Sequence, residues 1–291
     1  MAMVRLGRGY GGSPRGGRGL SPRLLIAGVI LVVAVGGYFL RTSVNPITGR
    51  SERVALSVQG EVALGLQAAP EMAQMYGGLS NDAAAQALVD RVGGALVAAL
   101  ERLFPSGENP YPFEFHVLAD PEVVNAFALP GGQVFITEAL LRRLETEGQV
   151  AGVLAHEIGH VVERHGAERL AQQGLMQGVV GAVGVAAYDP DRPETAAAAA
   201  LAQAIGTLVT LKYGRQDELE SDEYGVRISA AAGYDPRAMI RVMEILRDAS
   251  GERGGPPEFL STHPDPGNRI ERIQELVRRV YPDGVPTDLR E

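Results

Sequence analysis

The 291-residue chain has no cysteine and no tryptophan. The first absence excludes disulfides, thiolate metal ligands, a cysteine nucleophile and a lipid on an N-terminal cysteine. Aromatic residues make up only 5%, whereas glycine alone contributes 37 positions. Close packing must therefore come from small and aliphatic side chains, and a largely helical protein is expected. Basic charge is scarce beyond the start. Arg5, Arg8, Arg15, Arg18 and Arg23 fall within the first 23 residues, which contain no acid, while the whole chain carries a net charge of −8. The body is thus acidic, which argues against nucleic acid as a partner, because phosphate binding needs a basic face. With 45% hydrophobic and 21% charged residues, the composition is that of a folded chain with a core. The length suits one large domain or two small ones.

Long uncharged runs are also few. Residues 24–40, LLIAGVILVVAVGGYFL, carry no charge. The run is at the short end for a membrane-spanning helix. Tyr38 and Arg41 give it an interfacial edge, and the arginines before it orient the N-terminus towards the cytoplasm. The expectation is a single-pass anchor with everything after Arg41 on the far side. A cleaved signal peptide is the alternative, although such peptides have a shorter apolar core and no small-x-small site follows the run convincingly. The segments read as a basic tail (1–23), an anchor (24–40), a linker (41–57), one domain (58–281) and a C-terminal tail (282–291).

Within the body, 63–76 and 81–103 have helical spacing, the second opened by a Ser80-Asn81-Asp82 cap. Three strand-like runs follow at 113–118, 123–129 and 133–137, with a turn at Pro130-Gly131-Gly132 between the last two. They read as a small antiparallel sheet. A long helix is expected from Glu147 to Gln173, with Thr146 and Gln149 in a capping-box pattern. The Ala- and Gly-rich runs 174–188 and 196–211 read as a buried or membrane-touching helical hairpin. Further helices are expected at 218–232, from Asp235-Pro236 through Asp248, and from Asp265-Pro266 onward. In the last, Ile270, Ile273, Leu276, Val277 and Val280 form an apolar stripe. The fold class is α+β, mainly helical.

Residues 156–160 read His-Glu-Ile-Gly-His. Positions four apart on a helix lie about 40° apart around its axis, so His156 and His160 face one side. Two neutral imidazoles so placed suit a zinc ion, and Glu157 beside them can take a proton from an attacking water. A solvated surface helix is the bland reading, but Val150, Val153, Leu154, Ile158, Val161 and Val162 make this helix apolar. A catalytic zinc needs a third protein ligand. His165, on a continuing helix, points about 140° from His160 and is rejected as a ligand in favour of a supporting role. Glu218 and Asp222, four apart on another helix, are better placed: Glu218 to enter the metal shell, Asp222 to orient a histidine through its outer N–H. Their neighbours Asp217, Glu220 and Glu223 read as a solvated acidic run, and spacing alone favours Glu218 over them only modestly.

Five motifs carry a resemblance: NPITGR (45–50), NAFALPGGQVFIT (125–137), GVLAHEIGHVVERH (152–165), R-x-x-E-x-x-x-D (215–222) and STHPDPGNRI (261–270). Together they resemble the HtpX/BepA-like and CAAX prenyl protease-like membrane-associated zinc metallopeptidases, of the gluzincin type, over roughly residues 45–280. The resemblance implies a zincin-like domain holding one Zn²⁺ per chain, with Glu218 as third ligand and Arg215 and Asp222 in support. It implies a substrate-binding strand edge at Gly132, Gln133, Val134 and Phe135. It also places His263 near the metal, where it would assist catalysis at the oxyanion or occupy the open position and silence the enzyme, with Arg269 close by. Ser221 departs from the family's usual Ala. The implied activity is endopeptidase action on unfolded or damaged membrane and envelope proteins, at the periplasmic face of a bacterial inner membrane or in the periplasm after signal cleavage. A zinc-bearing membrane scaffold or chaperone with little turnover is the alternative.

Overall fold

A computed structural model describes residues 42–54, 56–104, 109–184 (backbone alone for 175–184), 203–208, 212–250, 256–264 and 267–291, with isolated positions between 29 and 39. The basic tail, most of the 24–40 run and most of the hairpin read at 174–211 lie outside the described residues.

Helix α1, Val58–Met75, starts where the Ser57 hydroxyl accepts from the Gly60 amide at 3.1 Å. Helix α2, Ala83–Leu103, is capped by Asp82, whose carboxylate accepts from Ala84 and Ala85. These caps satisfy amides that the first turn leaves without helical partners. In α2, Val89, Val92, Leu96 and Leu100 are spaced three or four apart and are all buried. By length and composition α2 is the one described helix able to cross a membrane, yet this stripe makes it part of the core.

The main sheet holds β3 (Glu114–Leu118), β4 (Ala126–Ala128) and β5 (Gln133–Thr137) in the order β3-β5-β4. Gly131 and Gly132, at φ +88° and +105°, make the tight turn that sets β4 antiparallel to β5. The sheet departs from the antiparallel expectation, because β3 runs parallel to β5. Residues 119–125 carry the chain across the sheet's end, so β3 lies beyond β5 rather than beside β4. This also corrects the substrate edge read at Gly132–Phe135. Gln133, Val134 and Phe135 belong to the central strand, paired on both sides and buried, and Gly132 sits in the turn. The free edge nearest the later helices belongs to β4.

After the short α3 (Glu138–Leu141) comes α4, Glu147–Val162. Thr146 caps it by accepting from the Gln149 amide; Gln149 in turn accepts from the Glu145 amide at 2.8 Å, one residue earlier than a capping box would have it. From Gly148 to Val162 every residue is buried. The single long helix expected through Gln173 is broken: α4 ends at Val162, Arg164 takes φ +57°, and α5, His165–Gly184, starts afresh. Left-handed backbone is costly for a side chain of this size. The Arg164 guanidinium offsets that cost by pairing with Glu61 on α1 and bonding Ser43 Oγ at 3.1 Å and the Leu56 carbonyl at 2.9 Å.

The stretch read as a linker contains a hairpin, β1 (Ser43–Val44) with β2 (Ser51–Glu52). Its buried Asn45 donates to the Val162 carbonyl and to Glu52, each at 2.6 Å. Asn45 Oδ1 accepts from the Ile47 and Thr48 amides. The hairpin therefore clasps the C-terminal end of α4. Beyond it lie α6 (Arg215–Ala231), α7 (Ala238–Asp248), α8 (Glu258–Thr262) and α9 (Arg269–Val280). Helix α6 runs against α4 at Gly159, where a Cβ would stand only 3.0 Å from the Ser221 backbone. That close approach brings the carboxylates of α6 to the histidines of α4.

Candidate metal centre

His156 and His160 extend from successive turns of α4, with their Nε2 atoms 3.1 Å apart. From α6, Glu218 brings Oε2 to 3.5 Å from His156 Nε2 and Oε1 to 3.5 Å from His160 Nε2. His263, just after α8, places Nδ1 3.2 Å from Glu218 Oε1. One donor atom from each of these four residues lies within 4.8 Å of the others, and all four are buried. A tetrahedral ion about 2.0–2.1 Å from each donor has ligand–ligand edges of about 3.3 Å. The two histidines and Glu218 fit that spacing, and Glu218 Oε2 is a buried carboxylate oxygen flanked by His156 Nε2 and the Arg269 guanidinium. The donor set fits a metal ion.

The outer nitrogens of the two histidines are held differently. His156 Nδ1 lies 3.0 Å from Asp222 Oδ1. Arg269, itself buried, bonds Asp222 through Nε and Nη2 at 2.8 and 2.6 Å and sets Nη1 3.0 Å from Glu218. His160 Nδ1 meets not a carboxylate but His165 Nδ1, at 3.0 Å. The break at Glu163-Arg164 corrects the continuing helix on which His165 was expected to turn away. Arg215 does not reach this centre. It is exposed in the first turn of α6, where it stays hydrated, and the guanidinium beside the carboxylates is Arg269.

Burial and charge set the ionisation of the metal-free centre. Burial opposes the His156 imidazolium, but bonds to Asp222 and Glu218 outweigh it and push its pKa up to about 9. Burial, with His156 beside it, holds His160 well below its ordinary value. For Glu218, burial favours the acid, yet His263 and Arg269 hold the carboxyl well below the carboxylate range. Glu157 is raised, chiefly by burial, and among the described residues neither of its oxygens has a hydrogen-bond partner. His263 Nε2, 3.7 Å from Glu157 Oε1, has none either.

Sequence reasoning missed Tyr213, whose ring stacks on His160 with centroids 3.8 Å apart and whose amide bonds the Thr262 carbonyl. It also missed Phe259, stacked on His263 at 4.4 Å. An aromatic two residues before Arg215 was the available signal for Tyr213. A cavity of about 30 Å³ beside the centre is lined by Met72, Asn125, Ala128, Leu208, Glu258 and His263, among others. By their register with β5, Ala126 and Ala128 turn their backbone N–H and C=O groups away from β5, towards the free edge.

A family model described as peptidase family M48 matches residues 84–277, a span that contains every residue of this centre. The beta-barrel assembly-enhancing protease of Yersinia pestis is 29% identical over 268 residues, covering 90% of this chain and 53% of its own length. Its Escherichia coli (strain K12) namesake is 34% identical over 174 residues, covering 59% and 36%. The mitochondrial metalloendopeptidase OMA1 of Schizosaccharomyces pombe is 33% identical over 250 residues, covering 84% and 70%. The chain thus spans about half, or less, of the two beta-barrel assembly-enhancing proteases.

Proposed function

The chain belongs to peptidase family M48, and on that footing we propose that it is a zinc-dependent endopeptidase with Glu157 as general base. The observation that carries this reading is the convergence of His156, His160 and Glu218 beside the buried Glu157 carboxylate, which has no hydrogen-bond partner among the described residues. Zinc, when bound, supplies Lewis acidity, polarising a scissile carbonyl and acidifying the attacking water. Glu157 takes that water's proton, a role suited by the upward push burial gives its pKa, and passes it to the leaving amine. Asp222 and Arg269 fix His156 and Glu218 in place.

An extended substrate adds to the free edge of β4, where main-chain bonding tolerates many sequences. That preference suits unfolded or damaged membrane and envelope proteins, and the names of the Yersinia and Escherichia relatives support an envelope role. The apolar run at 24–40 would anchor the body at a membrane, on the periplasmic side of a bacterial inner membrane. His263 is fully buried among the metal donors, so substrate entry requires its side chain to move aside. From there His263 Nε2 either donates to the developing oxyanion or, unmoved, keeps the site silent. His263→Ala separates the two: a large loss of cleavage assigns the first role, a gain the second.

The reading is tested with purified protein and an unfolded substrate such as casein. Cleavage stopped by a chelator and restored by zinc supports it. Stoichiometric zinc with no cleavage under any condition would favour a membrane scaffold instead.

A further inference from the structure

The two histidines differ in what stands behind them. If both Nε2 atoms face the ion, both Nδ1 atoms carry protons and need acceptors. His156 has Asp222. Among the described residues His160 has only His165 Nδ1, at 3.0 Å, so that nitrogen must be the bare one. The His165 proton then sits on Nε2, which is 3.3 Å from Glu220 Oε2. Ser221 brings its Oγ to 3.4 Å from the same His165 Nδ1. Glu220 accepts from Gln216 at 2.9 Å and faces Arg50 Nη2 at 3.5 Å. Arg50 also pairs with Glu163 at 3.0 Å, at the break between α4 and α5. Each contact settles the direction of the next, and the chain runs from His160 to a hairpin residue whose side chain is 58% exposed.

We propose that His165, Glu220 and Arg50 form a positioning relay that fixes the tautomer and orientation of His160 and ties the metal centre to the β1–β2 hairpin. None of the three touches the ion or the substrate; they act through His160. The relay rests on the zinc reading above. It makes the two ligands unequal: His156 is clamped by a buried ion pair, whereas His160 depends on the His165 imidazole, whose last support lies at the surface. The hairpin directly follows the apolar 24–40 run, so displacing it loosens one ligand and leaves the other in place.

The test measures zinc affinity by chelator competition, and the cobalt(II) absorption spectrum, for the full chain and four variants. In His165→Asn, Oδ1 stands where Nδ1 was and still accepts from His160; His165→Leu keeps bulk but accepts nothing. The expected result is zinc affinity about 10–100-fold weaker in His165→Leu, with an altered cobalt spectrum, and recovered for the most part in His165→Asn. Arg50→Ala should weaken zinc about two- to five-fold, with no further effect when combined with His165→Leu. Wild-type affinity in His165→Leu, equal losses in the Leu and Asn variants, or independent effects in the double variant would overturn the relay while leaving the zinc reading intact. A wild-type chain that binds no zinc removes both.

Discussion

Arg269 grips Asp222 with two nitrogens and presents its third to Glu218 at 3.0 Å, all within the protein interior. One guanidinium thus neutralises the carboxylate that orients His156 and the carboxylate proposed to bind the ion. Removing one partner of a buried pair leaves uncompensated charge and costs about 3–5 kcal/mol. Arg269→Leu should destabilise the metal-free protein by that order in denaturant melts. Zinc takes over part of the neutralisation of Glu218, so the loss should be smaller in zinc-saturated protein. An equal loss in both states would show that Arg269 acts by packing alone.

In the proposed mechanism Glu157 carries the proton transfer. Glu157→Gln keeps the shape and removes the base, so cleavage should fall about 10²–10⁴-fold. Zinc content and melting temperature should stay close to wild type, because Glu157 is not a ligand. Undiminished cleavage in a zinc-replete variant would end its role.

Gly159 sets the spacing of α4 and α6. A methyl there stands 3.0 Å from the Ser221 backbone, and such overpacking costs about 1–3 kcal/mol. Gly159→Ala should lower the melting temperature and, by pushing Glu218 outward, weaken zinc binding. A lower melting temperature with unchanged zinc affinity would separate the helix contact from the metal centre.

Glu52 makes stability depend on pH. Burial raises its pKa to about 8, against the pull of Asn45 and with Glu163 adding to the rise. The folded state therefore holds this proton between about pH 4.5 and 8 while the unfolded chain does not, so stability falls as pH rises through that window. Glu52→Gln keeps the acceptor for Asn45 and removes the titration. Its melting temperature should exceed wild type at pH 8, by about 2–4 °C for each kcal/mol recovered, and match it near pH 4. Parallel curves across the range would contradict this.

Much of this was legible in the sequence, for reasons that differ by residue. His156 and His160 share a face because both lie on one helix, and a spacing of four needs no tertiary knowledge. Bringing Glu218 to them depends on how α6 packs at Gly159; spacing favoured Glu218 over its acidic neighbours only modestly, and the family motif singled it out. The strand readings found each segment, but order and direction were set by the crossing at 119–125, which has no local signature. That is why β5 read as an edge and is the centre. The break at Arg164 was hidden for the opposite reason. Local pattern favours a continuous helix, and the partners that hold the left-handed turn, Glu61 and Ser43, lie more than a hundred residues away.

The most direct measurement is zinc per chain in purified wild type, Glu157→Gln and Glu218→Gln after dialysis against a weak chelator. One zinc in the first two and a large loss in the third, with the fold retained, is the expected result. Equal zinc in all three, or none in any, would contradict it.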